Sequence, residues 1–404
     1  MIRQTVARID LAALESNYRH IVDYLARDGD GPTPGVIAVV KANAYGHGAG
    51  QVALALERAG ADLLACADIE EGAALRAAGV RADILVFGAL SVSDLDGLFD
   101  CRLTPTISTP GAARAVQAAA EQYKQRVRYH LKIDTGMNRL GFRFDNLGRT
   151  LPGLLASQNL DLEAVYTHFA TADDPESPLF AEQRVRFERA QAEIADLNRG
   201  ARMERRGSGD RSERQHPSSS AASASPASKG PYVHAANSAA LLRDSRVWYD
   251  RVRPGLLLYG IVPPPLASTL PLTPIMTLAS RIVAVKGVRA GDGVGYGVKF
   301  TAEQPATIAI VPAGYADGLD VRLAGRGSVL IRGRRAPIVG SVCMDMLMAD
   351  VTGLEVSPGD EVVIIGPQSA DRIDVREMAA QIGTIPYEIL CRIGSRIERV
   401  YDSR

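Results

Sequence analysis

The run GVIAVVKANAYGHG, residues 35–48, rises through six small or apolar residues to Lys41 and then breaks into a glycine-punctuated turn. The same pattern, a short apolar strand followed by an alanine-rich helical stretch, recurs through the first two thirds of the chain. Strand candidates end at Lys41 (GVIAVVK), Asp68 (LLACAD), Gly88 (DILVFG), Ser108 (LTPTIS), Asp134 (YHLKID), His168 (EAVYTH), Asn237 (YVHAAN) and Gly260 (LLLYG). Eight strands alternating with helices over about 260 residues is the count and length of a (β/α)8 barrel, with a doubly wound sheet as the rival. Ahead of them, Leu11, Leu14, Tyr18, Ile21 and Leu25 recur at helical spacing and predict an amphipathic helix.

The pattern changes across the prolines between Pro263 and Pro274. Beyond them come short β-rich runs bounded by Gly and Asp (RIVAVKGV, ATIAIVPAG, GSVLIRG, APIVGSV, DEVVIIG), with one helical interruption, DVREMAAQIG. Residues 1–262 therefore read as the barrel and residues 263–404 as a C-terminal mainly-β domain. Within the barrel, Arg205 to Gly230 (RRGSGDRSERQHPSSSAASASPASKG) holds no large aliphatic or aromatic residue. It reads as a disordered insertion, starting from about residue 199, between a helix ending near Leu197 and the strand at Tyr232.

Composition narrows the function. Forty-six Lys and Arg balance 46 Asp and Glu, so no basic field exists to gather nucleic acid or an anionic membrane. No apolar run marks an export signal, and the longest uncharged stretch, 254–280, is too rich in proline for a membrane helix; a cytoplasmic protein is expected. Cys66, Cys101, Cys343 and Cys391 lie far apart without CxxC spacing, which suggests neither a disulfide framework nor a metal site.

Lys41 ends an apolar strand at the face where barrel enzymes build active sites. A lysine with a desolvated stem loses basicity and becomes nucleophilic enough for a Schiff base, although alone it reads more readily as a side chain reaching solvent. The surrounding VVKANAYGHG resembles the pyridoxal phosphate attachment motif of the alanine racemase family. HLKIDTGMNRLGF, YTHFATAD, HAANSAALL, VRPGLLLYG, PAGYADG, APIVGSVCMD and PYEILCRIGSR resemble that family's further blocks, in its order, over nearly the whole chain.

The resemblance implies a pyridoxal 5'-phosphate-dependent isomerase that interconverts L- and D-alanine in the cytoplasm, supplies D-alanine for peptidoglycan and works as a homodimer with shared active sites. Lys41 would carry the cofactor; Tyr45, Ser238, Tyr387 and the amides of Gly255 and Leu256 would hold its phosphate. Arg253 would face the pyridine nitrogen and His168 would pack by the ring. Lys41 and Tyr315 would be the two acid/base groups on opposite faces, because racemisation removes a proton from one face of a planar carbon and returns one to the other. Arg139 and the amide of Met344 would contact the substrate carboxylate, with Asp345 beside them, and Lys132 matches a lysine often carbamylated in the family. Taken alone, Ser238 reads as a helix N-cap, Arg253 as a partner of Asp250, His168 as a core histidine, Lys132 as a partner of Asp134, and Tyr315 as a turn aromatic. Ser341 stands where the family often has arginine in the corridor to the pocket, which leaves a same-fold racemase of serine or a basic amino acid as the alternative.

Overall fold

The computed structural model describes residues 5–27, 32–90, 95–209 and 230–402. Its centre is a closed barrel of eight parallel strands: Gly35–Val39, Leu63–Cys66, Asp83–Val86, Thr104–Ile107, Val127–Asp134, Leu160–Tyr166, Tyr232–Asn237 and Arg251–Arg253. Closure comes where Arg251 and Val252 pair with Gly35 and Val36. Val36, Ile37, Ala38 and Val39 are all buried. Strands covered on both faces read as continuous apolar runs rather than alternating ones.

Seven of the eight expected strands are present; the one expected at LLLYG is not. Leu256 to Tyr259 are wholly buried turns. The amides of Leu258, Tyr259 and Gly260 bond back three residues, to the carbonyls of Gly255, Leu256 and Leu257, at 2.9, 3.1 and 3.1 Å. A short apolar run does not distinguish a buried strand from a buried turn, and here the preceding Pro254–Gly255 sets the turn. The eighth strand is Arg251–Arg253, whose two arginines disguised it.

The leading amphipathic helix spans Leu11–Arg27 and buries all five of its stripe residues. Helix Leu179–Gly209 continues well past Leu197, so residues 199–209, expected in the insertion, are helical. Ala, Arg, Met and Glu between 201 and 206 are good helix formers, which outweighed the missing apolar stripe. The rest of the expected insertion, 210–229, lies outside the described residues.

The C-terminal part is a mainly antiparallel sheet that includes Met276–Arg281, Ala306–Val311, Ser328–Ile331, Arg334–Val339, Leu347–Asp350 and Glu361–Gln368. The chain's first strand, Val6–Asp10, is built into this sheet between Met276–Arg281 and Glu398–Asp402. Two helices follow instead of the one expected, Val375–Ile382 and Pro386–Arg392, and the second brings Tyr387 to the barrel mouth. Cys66 is buried and Cys391 exposed, and neither is in a disulfide. Among the described residues, no helix is long and apolar enough to cross a membrane.

Candidate active site

Lys41 follows the first barrel strand and opens a turn unlike any other among the described residues. Ala42, Asn43, Ala44 and Tyr45 have φ of 52°, 53°, 54° and 52°. L-residues avoid this left-handed region at a cost of roughly 1–2 kcal/mol each, and such strain persists only where surrounding bonds over-determine it. Here the Glu71 carboxylate accepts from the Ala42 amide at 2.7 Å and, through its other oxygen, from the Ala67 amide at 2.7 Å. Asn43 Oδ1 accepts from the Ala49 amide at 2.8 Å, and Arg399 donates twice to the Gly46 carbonyl at 3.0 Å. The turn sets Lys41 and Tyr45 on the wall of one cavity at the C-terminal mouth of the barrel.

That cavity encloses about 560 Å3. Its walls carry four cations, Lys41, Lys132, Arg139 and Arg253, against one carboxylate, Asp173. A concave site with this excess selects anionic ligands. The Lys41 side chain makes no hydrogen bond or ion pair among the described residues, and burial, then the Arg139 charge, holds its amine below the ordinary lysine value. Lys132 is buried with its Nζ 5.7 Å over the Tyr166 ring; burial and the charges of Arg139, Arg253 and Lys41 bring it down to about 8.

At one end, Ser238 Oγ accepts from the Gly255 amide at 2.9 Å and from the Leu257 amide at 3.4 Å. A Cβ at position 255 would lie 2.4 Å from Tyr45 Oη. The Tyr45 and Tyr387 rings are 5.7 Å apart. Burial pushes both phenols up, Tyr387 to about 12, so they remain hydrogen-bond donors at neutral pH. Two phenols, a hydroxyl and backbone amides brought close by a glycine suit a phosphate without a dedicated lysine.

On another stretch of the wall Arg253 is buried, and among the described residues no carboxylate is bonded to it. Its Nη2 donates to the carbonyls of Thr167 (2.9 Å) and Ala235 (2.8 Å) and lies 3.3 Å from His168 Nδ1; its Nη1 lies 2.8 Å from His234 Nδ1. Burial lowers Arg253 only to about 10, so the guanidinium keeps its charge at neutral pH. His168 is held well below the ordinary histidine value by burial and by Arg253, and is neutral.

Of the residues singled out from the sequence, Lys41, Tyr45, Lys132, Arg139, His168, Ser238, Arg253, Gly255 and Tyr387 line this cavity. Leu256 is fully buried in the turn behind Gly255. Tyr315 and Met344 do not line it. They sit together elsewhere, 45% and 53% exposed, where the amides of Tyr315 and Ala316 bond to the carbonyls of Cys343 and Met344 at 3.0 Å. Ser341 donates to the Tyr296 carbonyl at 2.7 Å next to that patch, and Asp345 pairs with Arg396. Three contributors escaped the sequence reading. Tyr166 lines the cavity wall, His234 holds Arg253, and Glu71 clamps the lysine turn. Glu71 had a visible signal, because Asp68-x-x-Glu71 has the spacing of a capping box.

The chain matches the family model described as "Alanine racemase, N-terminal domain" over residues 9–209 and 210–263, and that described as "Alanine racemase, C-terminal domain" over residues 275–401. It is 40% identical over 407 residues to an alanine racemase of Carboxydothermus hydrogenoformans, covering 99% of this chain and 100% of that one. An alanine racemase structure from D-cycloserine-producing Streptomyces lavendulae superposes with a TM-score of 0.87 at 32% identity, over 100% of this chain and 98% of that one. One from Bartonella henselae, with covalently bound pyridoxal phosphate, gives 0.81 at 27%, over 99% of each. With both halves matched in order and the cavity placed at their junction, the chain belongs to the alanine racemase family.

Proposed function

We propose that this protein is a pyridoxal 5'-phosphate-dependent alanine racemase that interconverts L- and D-alanine, that Lys41 and Tyr315 of the partner subunit are its two acid/base groups, and that its D-alanine goes to peptidoglycan. The observation that carries this reading is the cavity itself. An amine without a side-chain partner stands on a strained turn, and the same walls carry two phenols and a serine hydroxyl grouped about Gly255 and a buried arginine that keeps its charge.

The residues present fit the cofactor: Tyr45, Ser238, Gly255, Leu256 and Tyr387 for the phosphate, Arg253 for the ring nitrogen, His168 beside the ring and Lys41 for the covalent link. When bound, pyridoxal phosphate supplies an electron sink that acidifies the substrate Cα–H. Arg253 keeps its own protons at neutral pH and so leaves the ring nitrogen unprotonated, which limits that sink and favours reprotonation at Cα over transamination. Lys41, less basic than a free lysine, takes or returns the proton at its Nζ on one face. Arg139 and the amide of Met344 of the partner subunit orient the substrate carboxylate. Lys132 reacts with carbon dioxide as the neutral amine, losing one proton to give an anionic carbamate that steadies Arg139.

Tyr315 and Met344 support a shared site by their position. They lie on one exposed patch with Tyr296 and Met346, all four more than two-fifths exposed, outside the cavity that needs them. A second copy bringing this patch to the barrel mouth completes the site. Circular dichroism of purified protein incubated separately with L- and D-alanine, serine, lysine and arginine tests the reading. Loss of optical activity is expected for both alanine enantiomers well ahead of the others; preference for serine or a basic amino acid would move the assignment to the alternative that Ser341 keeps open.

A further inference from the structure

Behind Arg253 a line of buried polar groups runs down through the barrel, away from the cavity. Arg253 Nη1 lies 2.8 Å from His234 Nδ1, His234 Nε2 lies 3.0 Å from His130 Nδ1, and His130 Nε2 lies 2.9 Å from Tyr232 Oη and 3.6 Å from Glu163 Oε2. Both histidines are wholly buried. The line ends near the start of the strands, where Arg128 pairs with Glu163 at 2.8 Å and Arg251 lies over the Tyr232 ring.

Only one arrangement of protons satisfies this line. A guanidinium nitrogen is always a donor, so His234 Nδ1 must accept. His234, if neutral, then carries its proton on Nε2 and donates to His130 Nδ1. His130 in turn carries its proton on Nε2 and donates to Tyr232 Oη, with the Glu163 carboxylate beside it. A second proton on either ring would set two donors against each other in a site closed to water. We propose that His130 is a positioning residue for Arg253: through His234 it fixes the acceptor that orients the guanidinium, with Tyr232 and Glu163 anchoring the far end. Burial, which holds both histidines below the ordinary value, acts in the same direction, and Tyr166, stacked on His234 at 4.6 Å, prevents that ring from turning. The consequence for catalysis rests on the racemase reading; the proton arrangement does not.

Nitrogen-15 NMR of the full-length, cofactor-free protein labelled at histidine tests the arrangement directly. His130 and His234 are expected to be neutral Nε2–H tautomers throughout the neutral pH range. An imidazolium or an Nδ1–H tautomer at either ring would overturn the proposal. His130→Phe keeps a flat aromatic ring, slightly larger than imidazole, and removes the acceptor for His234. With cofactor bound, kcat for alanine is expected to fall about tenfold with little change in KM, the size of effect usual within a coupled network, and the share of turnovers lost to transamination to rise. A folded His130→Phe variant with wild-type kcat, wild-type transamination and an unchanged His234 tautomer would also overturn it, whereas inactivity of the wild type toward alanine would count against the racemase reading alone.

Discussion

Tyr45 Oη occupies the space that a side chain at position 255 would need: a Cβ there would lie 2.4 Å from the phenol oxygen and 2.9 Å from its ring carbon. Glycine is required by this close approach and not by backbone conformation, since Gly255 has no positive φ. Tyr45 is buried with its ring 4.9 Å from that of Tyr259, so a side chain at 255 could displace it only at the cost of that packing.

Gly255→Ala is therefore expected to displace Tyr45 and weaken the proposed phosphate cradle. Overpacking of this size costs about 1–3 kcal/mol, or roughly a 5- to 150-fold loss of pyridoxal phosphate affinity if it falls on the bound state. Titration of the cofactor-free variant, alongside its melting temperature, checks this. Unchanged affinity would show that the phosphate is held elsewhere.

Glu71 spans two loops, bonding the amides that follow the first and second barrel strands. In Glu71→Gln only the side-chain oxygen accepts and the NH2 faces a second donor, so one charge-assisted bond worth about 1.5–3 kcal/mol is lost and the left-handed turn loosens. Glu71 also raises the Lys41 value, so its loss lets Lys41 lose a proton more readily. The variant should melt lower, turn over more slowly and show the Lys41 limb of its pH profile shifted to lower pH. An unshifted profile would contradict this role for Glu71.

Acid should destabilise the protein earlier than its carboxylates alone require. Burial holds His47 at about 4, and His130, His168 and His234 move in the same direction. The folded state thus excludes protons that an unfolded chain takes up near pH 6.5. The stability from His47 is fully present above that pH, falls as pH drops from 6.5 towards 4, and amounts to roughly 3 kcal/mol at 1.4 kcal/mol per pH unit. Urea midpoints measured across that interval should fall steeply, and His47→Gln should flatten part of the slope. Equal slopes in the two proteins would remove His47 from the account.

The barrel was legible because strands such as Gly35–Val39, Leu63–Cys66 and Asp83–Val86 are buried along most of their length and show as nearly uninterrupted apolar runs, repeated at regular spacing. The exception is instructive: Arg253 must lie inside the barrel to serve the cavity, so its strand carries charge, and the adjacent LLLYG looked more like a strand than RVR did. Lys41, Tyr45, Ser238, Gly255 and Arg253 could be named from motif resemblance because they lie within continuous blocks. Glu71, His130 and His234 act through contacts at long sequence range, 29 residues from Glu71 to Ala42 and 104 between the histidines, and no local pattern announces those contacts. The left-handed turn was also hidden, since Ala-Asn-Ala-Tyr has no glycine to signal positive φ.

The most direct test of the account is complementation between two dead variants. On the proposed mechanism Lys41→Ala removes the cofactor-linking base and Tyr315→Ala the second acid/base group, so each alone should be nearly inactive. When the two are unfolded and refolded together, random pairing makes about half the dimers mixed, and two-fold symmetry gives each mixed dimer one site with both residues intact and one lacking both. Roughly a quarter of wild-type racemase activity should then return by the same symmetry. If one chain supplied both groups, every site would keep one defect, and mixed dimers verified by differential tagging would recover no activity.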